Sequence, residues 1–145
     1  MKSNATNGGS KRRNLLRAIT SSFSQQLDTP QGVNYLLIVS QMFAKGTELI
    51  LDGHPSGQDH ARLRIFNLFE RLFDEIAPPV RATKTVLCAS MMFNALATYA
   101  QNMMSDEEHP LGGKSLYISN LIDSLTAIIE AKPSSETLTL LARAE

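Results

Sequence analysis

Apolar residues recur at steps of three or four along several stretches of the chain, which is the spacing of a helix with one buried face. The first stretch runs from Lys11 to Leu27 and ends at the turn sequence Thr29-Pro30-Gln31-Gly32. The second, Val33 to Leu51, is apolar around much of its circumference, with Gly46 as a possible break. The pattern therefore predicts two helices here, the second of them central in the fold.

The rest of the chain continues this pattern, and no alternation typical of strands rises above noise. A dense turn at residues 52–57 precedes a helical pattern that Pro78-Pro79 ends, because neither proline can donate a helical hydrogen bond. Further helices are predicted at about 84–104, Lys114 to Ala131 and Glu136 to Ala144. The predicted fold class is all-α, a bundle of about five to six helices. Residues 1–10 are expected to be a disordered tail, and residues 11–145 a single domain.

Residues 85–104 carry no charged side chain. A membrane span is unfavourable because Asn94, Gln101 and Asn102 would be costly in lipid. A helix that is uncharged on every side needs protein on every side, and one small domain covers only part of it. We therefore expect a homodimer, with no membrane partner.

In this homodimer the helices at about 84–104 and 114–131, the last two long helices, form a four-helix bundle with the same pair from a second subunit. The expected interface residues lie on these two helices: Leu96, Tyr99, Met103, Leu121, Leu125 and Ile128.

Charge and cysteine content narrow the function classes. The 14 basic and 14 acidic residues give no net charge, although the N-terminal segment is locally basic. The chain as a whole therefore lacks the charge typical of a nucleic-acid binder. A lone cysteine, Cys88, permits no intrachain disulfide and favours a cytoplasmic location.

No arrangement typical of catalysis or metal binding is present in the sequence. The three histidines fall in or beside predicted loops, without a second histidine four residues on. Cys88 has no nearby base and is expected to be a buried small residue. Gly112-Gly113-Lys114-Ser115 lacks the first glycine of a phosphate loop and is predicted to be a turn and helix start. The sequence predicts no enzyme, no metal and no cofactor.

Methionine and aromatic side chains are frequent in the predicted helices, and two interpretations are open. They form either an ordinary core or an adaptable apolar cavity in which a few polar groups orient a ligand. Asn94 shares a helix face with Met91 and Thr98, and it either orients a ligand, caps a neighbouring backbone group or faces the partner subunit. The candidate ligand-binding residues are Met42, Phe43, Phe66, Phe69, Met91, Asn94 and Thr98.

The C-terminal stretch SLYISNLIDSLTAIIEAKPSSETLTLL resembles the last two helices of TetR-family transcriptional regulators. The segments YLLIVSQMF (residues 35–43) and Pro78-Pro79-Val80 with the uncharged helix after them resemble the family's early ligand-domain helix and its first dimerisation helix. The resemblance covers about residues 12–145 by pattern and order. It implies a C-terminal effector-binding and dimerisation domain, with a cavity for a small apolar effector in each subunit and a role in transcription regulation.

The sequence departs from the TetR pattern at its N-terminus. The family carries a helix-turn-helix head there, and only about ten polar residues precede the first predicted helix of this chain. No exposed basic helix suitable for the major groove is predicted, so we expect no sequence-specific DNA binding by this chain alone. The chain is expected to be a shortened form of such a regulator or a natural relative without the head.

A second function class remains open beside the small-molecule sensor. A helical protein–protein interaction module would have a filled core and would present an apolar groove to another protein. The packing around the candidate ligand residues distinguishes the two, because a sensor needs an enclosed cavity there and an interaction module does not.

Overall fold

The computed structural model describes residues 4–45, 59–105 and 110–144. All regular structure in these ranges is helical, with six α-helices and two short 3-10 helices. The α-helices are α1 (Asn4–Ser24), α2 (Pro30–Lys45), α3 (Asp59–Glu70), α4 (Pro78–Met103), α5 (Lys114–Glu130) and α6 (Ser135–Ala144). The 3-10 helices, Gln25–Asp28 and Arg71–Phe73, follow α1 and α3 directly. The all-α fold class is confirmed for these residues, while His54, His109 and the predicted end of the second helix lie outside them.

The first helix begins earlier than the sequence pattern predicts. α1 starts at Asn4, so residues 4–10, which were expected to belong to a disordered tail, are helical. Its second half is anchored by Leu16 and Ile19, which are 0% and 4% exposed. Once this half has formed, extending the helix toward Asn4 has a small free-energy cost, because each further residue adds a hydrogen bond and the unfavourable nucleation step is not repeated.

Helix α4 begins at the two prolines that end the preceding pattern. Pro78 and Pro79 occupy its first turn, where a helix has no partner for its backbone N–H groups. The helix continues for 26 residues, longer than the predicted span of about 84–104.

Helix α4 is the centre of the bundle. It packs against α2 and α3 on one side and against α5 on the other, and α1 packs against α5. The inward residues of α4 that are less than 2% exposed include Thr85, Cys88, Met92, Phe93 and Leu96. Cys88 is 0% exposed, which confirms the prediction that this cysteine is buried, and burial raises the pKa of its thiol to about 12.

Two glycines have a structural reason for lacking a side chain. A Cβ on Gly32 would lie 2.1 Å from the backbone oxygen of Gln26, so the first turn of α2 can approach the preceding 3-10 helix only with glycine. Gly112 has a φ of +74° and Gly113 is the N-cap of α5. The predicted turn and helix start at this position is therefore confirmed.

The final helix, α6, is loosely attached. It forms no extensive contact with any other described element, although it is amphipathic. Two of its leucines, Leu138 and Leu140, are 53% and 57% exposed.

Among the described residues, none of the helices combines the length and the hydropathy that crossing a bilayer requires.

Candidate functional site

The candidate ligand residues of α2 and α3 lie in the interior. Phe43 and Phe69 are buried, and Met42 and Phe66 are half-buried. Phe43 and Phe69 both contact the ring of Phe93 from α4. The sequence analysis did not single out Phe93 as a site residue. The helical repeat sets its side chain about 160° around α4 from Met91, toward the core.

Four phenyl rings, named here the Phe93 cluster, fill this part of the core. The Phe93 ring centroid lies 5.2 Å from that of Phe43, in a stacked arrangement, and 4.9 Å from that of Phe23, edge to face. Phe69 completes the cluster at 6.4 Å. These distances lie in the range of aromatic rings in direct contact. The space between α2, α3 and α4 at this level is therefore occupied by side chains.

The candidate ligand residues of α4 lie on its outer side. Met91, Asn94 and Thr98 are all exposed, with 40% of Met91 accessible. The structure therefore does not bring them together with Phe43 and Phe69. They share one helix face, as their spacing requires, but Met92, Phe93, Leu96 and other apolar residues turn the opposite face toward the core.

The candidate interface residues are also divided. Leu96, Tyr99, Leu121 and Leu125 are at most 5% exposed within a single chain. Ile128 is half-buried, and Met103 is 46% exposed. The four buried residues pack within their own bundle, so they cannot be reached by a partner while the bundle is intact.

A continuous exposed stripe runs along α4 on the side away from the core. The residues of this outer stripe follow one another at alternating steps of four and three, which keeps them on one side of the helix. They are Leu87, Met91, Asn94, Thr98 and Gln101. Leu87 is 55% exposed. The outer stripe has no charged member, and its spacing is visible in the sequence.

Asn94 lies at the middle of the outer stripe. Within the part of the chain that the structure describes, its side-chain amide has no hydrogen-bond partner. An amide carries two donors and an acceptor, so Asn94 can pair with an identical amide.

Side chains hold α4 and α5 together at both ends of their contact. Near the C-terminal end of α4, the Tyr117 hydroxyl donates to the Ala95 carbonyl at 2.8 Å, and the Tyr117 ring centroid lies 4.7 Å from that of Tyr99. Burial, with a smaller contribution from Tyr99, raises the pKa of Tyr117. These contacts join α5 to the C-terminal half of α4.

At the other end, Lys84 caps α5. Its ammonium group donates to the carbonyls of Ile128, at 3.2 Å, and Ala131. Ile128 lies in the last turn of α5 and Ala131 is its C-cap, where carbonyls lack an intrahelical partner. Burial lowers the pKa of Lys84. The sequence analysis did not predict this contact, which joins residues far apart in the chain.

No group of three His, Cys, Asp or Glu residues in the described ranges is placed to hold a metal ion. Cys88 is 0% exposed, and burial raises the pKa of its thiol to about 12.

No protein-family model, curated protein or solved structure matches the chain. The candidate function therefore rests on the geometry of the outer stripe and of the Phe93 cluster.

Proposed function

We propose that this domain is a helical interaction module that pairs with a second copy of itself through the outer face of α4. The observation that carries the proposal is the outer stripe. The solvent-facing side of a helix normally carries charged residues, whereas residues 85–104 carry none and Leu87 and Met91 are exposed there. An uncharged outer face is typical of a helix that is covered in the functional assembly.

The chemistry of the outer stripe fits a second copy better than a charged partner. A charged surface placed against Leu87 and Met91 would lose water without gaining a partner charge. Two identical stripes related by a two-fold axis instead bring apolar residues against uncharged ones, and an Asn94 amide near the axis can meet its own counterpart.

The outer stripe alone is short for a stable interface. From Leu87 to Gln101 the helix advances about 21 Å at roughly 1.5 Å per residue, whereas stable pairs bury at least about 1,200 Å² in total. The neighbouring outer side of α5 adds to the surface, including Leu116, which is 68% exposed. The proposed assembly is thus a four-helix bundle of α4 and α5 from each copy, formed by their outer sides.

From the TetR resemblance of the sequence, we propose that this pairing belongs to an effector-binding domain of a transcriptional regulator, with no DNA binding by this chain alone. Effector sensing stays a prediction of that resemblance. It would require an effector to displace rings of the Phe93 cluster. A panel of apolar compounds tested by thermal shift examines this point: a compound that raises the melting temperature of the wild type, and raises it more in Phe69→Ala because one ring no longer has to be displaced, would favour the sensor.

Sedimentation equilibrium at micromolar concentration tests the pairing. Met91→Lys should weaken self-association about 100-fold, because each pair would bury two like charges, and about 2.7 kcal/mol corresponds to that factor. The matched control is Leu63→Lys on α3, where the side chain is 42% exposed, close to the 40% of Met91, and is followed by Arg64. Both variants should keep the helical circular dichroism of the wild type. A monomeric wild type, or equal dissociation by the two substitutions, would overturn the proposal.

A further inference from the structure

A groove separates the start of α4 from α6 and has a volume of about 490 Å³. Its size falls in the range of small-molecule sites. Residues of the first turns of α4, of the linker 131–134 and of α6 form its walls: Pro79, Val80, Thr83, Lys84, Lys132, Pro133, Ser134, Thr137, Leu140 and Leu141.

The walls combine apolar surface with positive charge. Five of the lining residues are apolar, two are lysines, and none is an aspartate or glutamate. A cationic ligand would therefore meet only like charge, and a purely apolar ligand would gain nothing from the positive charge.

Most polar groups of the groove already have partners. The Thr83 hydroxyl donates to the Pro79 carbonyl, and the Ser134 hydroxyl accepts from the Thr137 amide at 3.2 Å. The Lys84 ammonium caps α5. Lys132 is exposed and forms no ion pair with any residue in the described ranges, so it is the cation that remains for a ligand.

We infer that this groove binds an amphiphilic carboxylate, with the alkyl chain against Val80, Leu140 and Leu141 and the carboxylate at Lys132. A single available ammonium matches one negative charge, whereas a nucleotide or polyphosphate would need several cations. The apolar walls match an aliphatic chain, whose burial contributes in proportion to its length.

The loose attachment of α6 is consistent with such a site. Because α6 has no extensive contact elsewhere among the described elements, it can shift away from α4 to admit a chain and then close over it. The bound chain adds contacts to Leu140 and Leu141, so occupancy also stabilises α6.

Isothermal titration calorimetry tests the inference with three probes that share the same alkyl tail and differ in the charge of the head group. Each probe is used below its micelle-forming concentration. Decanoate should bind more tightly than decanol, and decyltrimethylammonium should bind most weakly. Octanoate should bind about tenfold more weakly than decanoate, because two methylene groups are lost. Lys132→Glu should reverse the order of decanoate and decyltrimethylammonium, whereas the control Lys11→Glu, an exposed lysine of α1, should keep the wild-type order.

A second pair of variants tests the apolar wall. Leu140→Ser should weaken all three probes about fivefold, because Leu140 lines the groove. The control is Leu138→Ser, because Leu138 lies on the same helix and is similarly exposed but does not line the groove. This substitution should leave the affinities of all three probes unchanged. The inference is overturned if decanol binds the wild type as tightly as decanoate, if Lys132→Glu keeps the wild-type order, or if the two leucine substitutions act equally.

Discussion

Replacing Phe93 by leucine tests whether the core is filled in the way that the Phe93 cluster indicates. Phe93 is 0% exposed and contacts three other rings, at centroid distances of 4.9, 5.2 and 6.4 Å. Each aromatic pair contributes about 0.5–1.5 kcal/mol beyond its buried area. Losing three such pairs, with leucine filling part of the volume, should therefore cost about 3 kcal/mol.

Urea unfolding followed by circular dichroism measures this loss. For a domain of this size, about 3 kcal/mol corresponds to a fall in melting temperature of roughly 9 °C. Phe66→Leu is the matched control, because Phe66 is half-buried and is not one of the three rings around Phe93. It should cost less than about 1 kcal/mol. If the two substitutions cost the same, or if Phe93→Leu leaves stability unchanged, the cluster does not hold α2, α3 and α4 together as argued.

Further expected outcomes concern the glycines, the lysine cap and the buried thiol. Gly32→Ala should lower the free energy of unfolding by about 1–3 kcal/mol, because its Cβ would lie 2.1 Å from the Gln26 oxygen. Gly9→Ala should raise it by about 0.5–1 kcal/mol, because nothing lies within 4 Å of the added atom. Urea unfolding measures both changes, and changes of the same sign would contradict the packing. Lys84→Met should lower stability by about 1–2 kcal/mol through loss of two charge-assisted hydrogen bonds to α5, and an unchanged urea midpoint would show that water replaces them. Because burial raises the pKa of Cys88, the folded state keeps the thiol proton above pH 9 while the unfolded state releases it. The free energy of unfolding should therefore fall as the pH rises from about 9 toward 12, by at most about 1.4 kcal/mol per pH unit. This fall should be smaller in Cys88→Ala.

The helices of this chain are readable in the sequence because their boundaries have local causes. α5 begins at Lys114, as predicted, and ends within one residue of the predicted Ala131, since Gly112-Gly113 and Pro133 bracket it. The start of α1 was not readable in the same way. Residues 4–10 have a composition typical of a tail, and their helix depends on packing further along the chain.

The orientation of α4 could not be predicted, and this orientation separates the candidate residues of α4 from those of α2 and α3. Periodicity correctly groups Met91, Asn94 and Thr98 on one face. Which face turns inward is normally shown by charges on the other, and residues 85–104 have none. The contacts among Phe23, Phe43, Phe69 and Phe93 decide the orientation, and they join helices far apart in sequence.

The Lys84 cap also bears on how the domain comes apart. Two carbonyls at the C-terminal end of α5, those of Ile128 and Ala131, accept from α4 and not from α6, so this cap does not depend on the helix that follows. Proteins open in cooperative units whose free energies range from near zero to that of global unfolding, and an element with few contacts belongs to the low end. α6 should therefore exchange its amide hydrogens in a unit separate from the bundle, with a boundary in the linker at residues 131–134, so that the C-terminus can fray repeatedly while α4 and α5 remain folded.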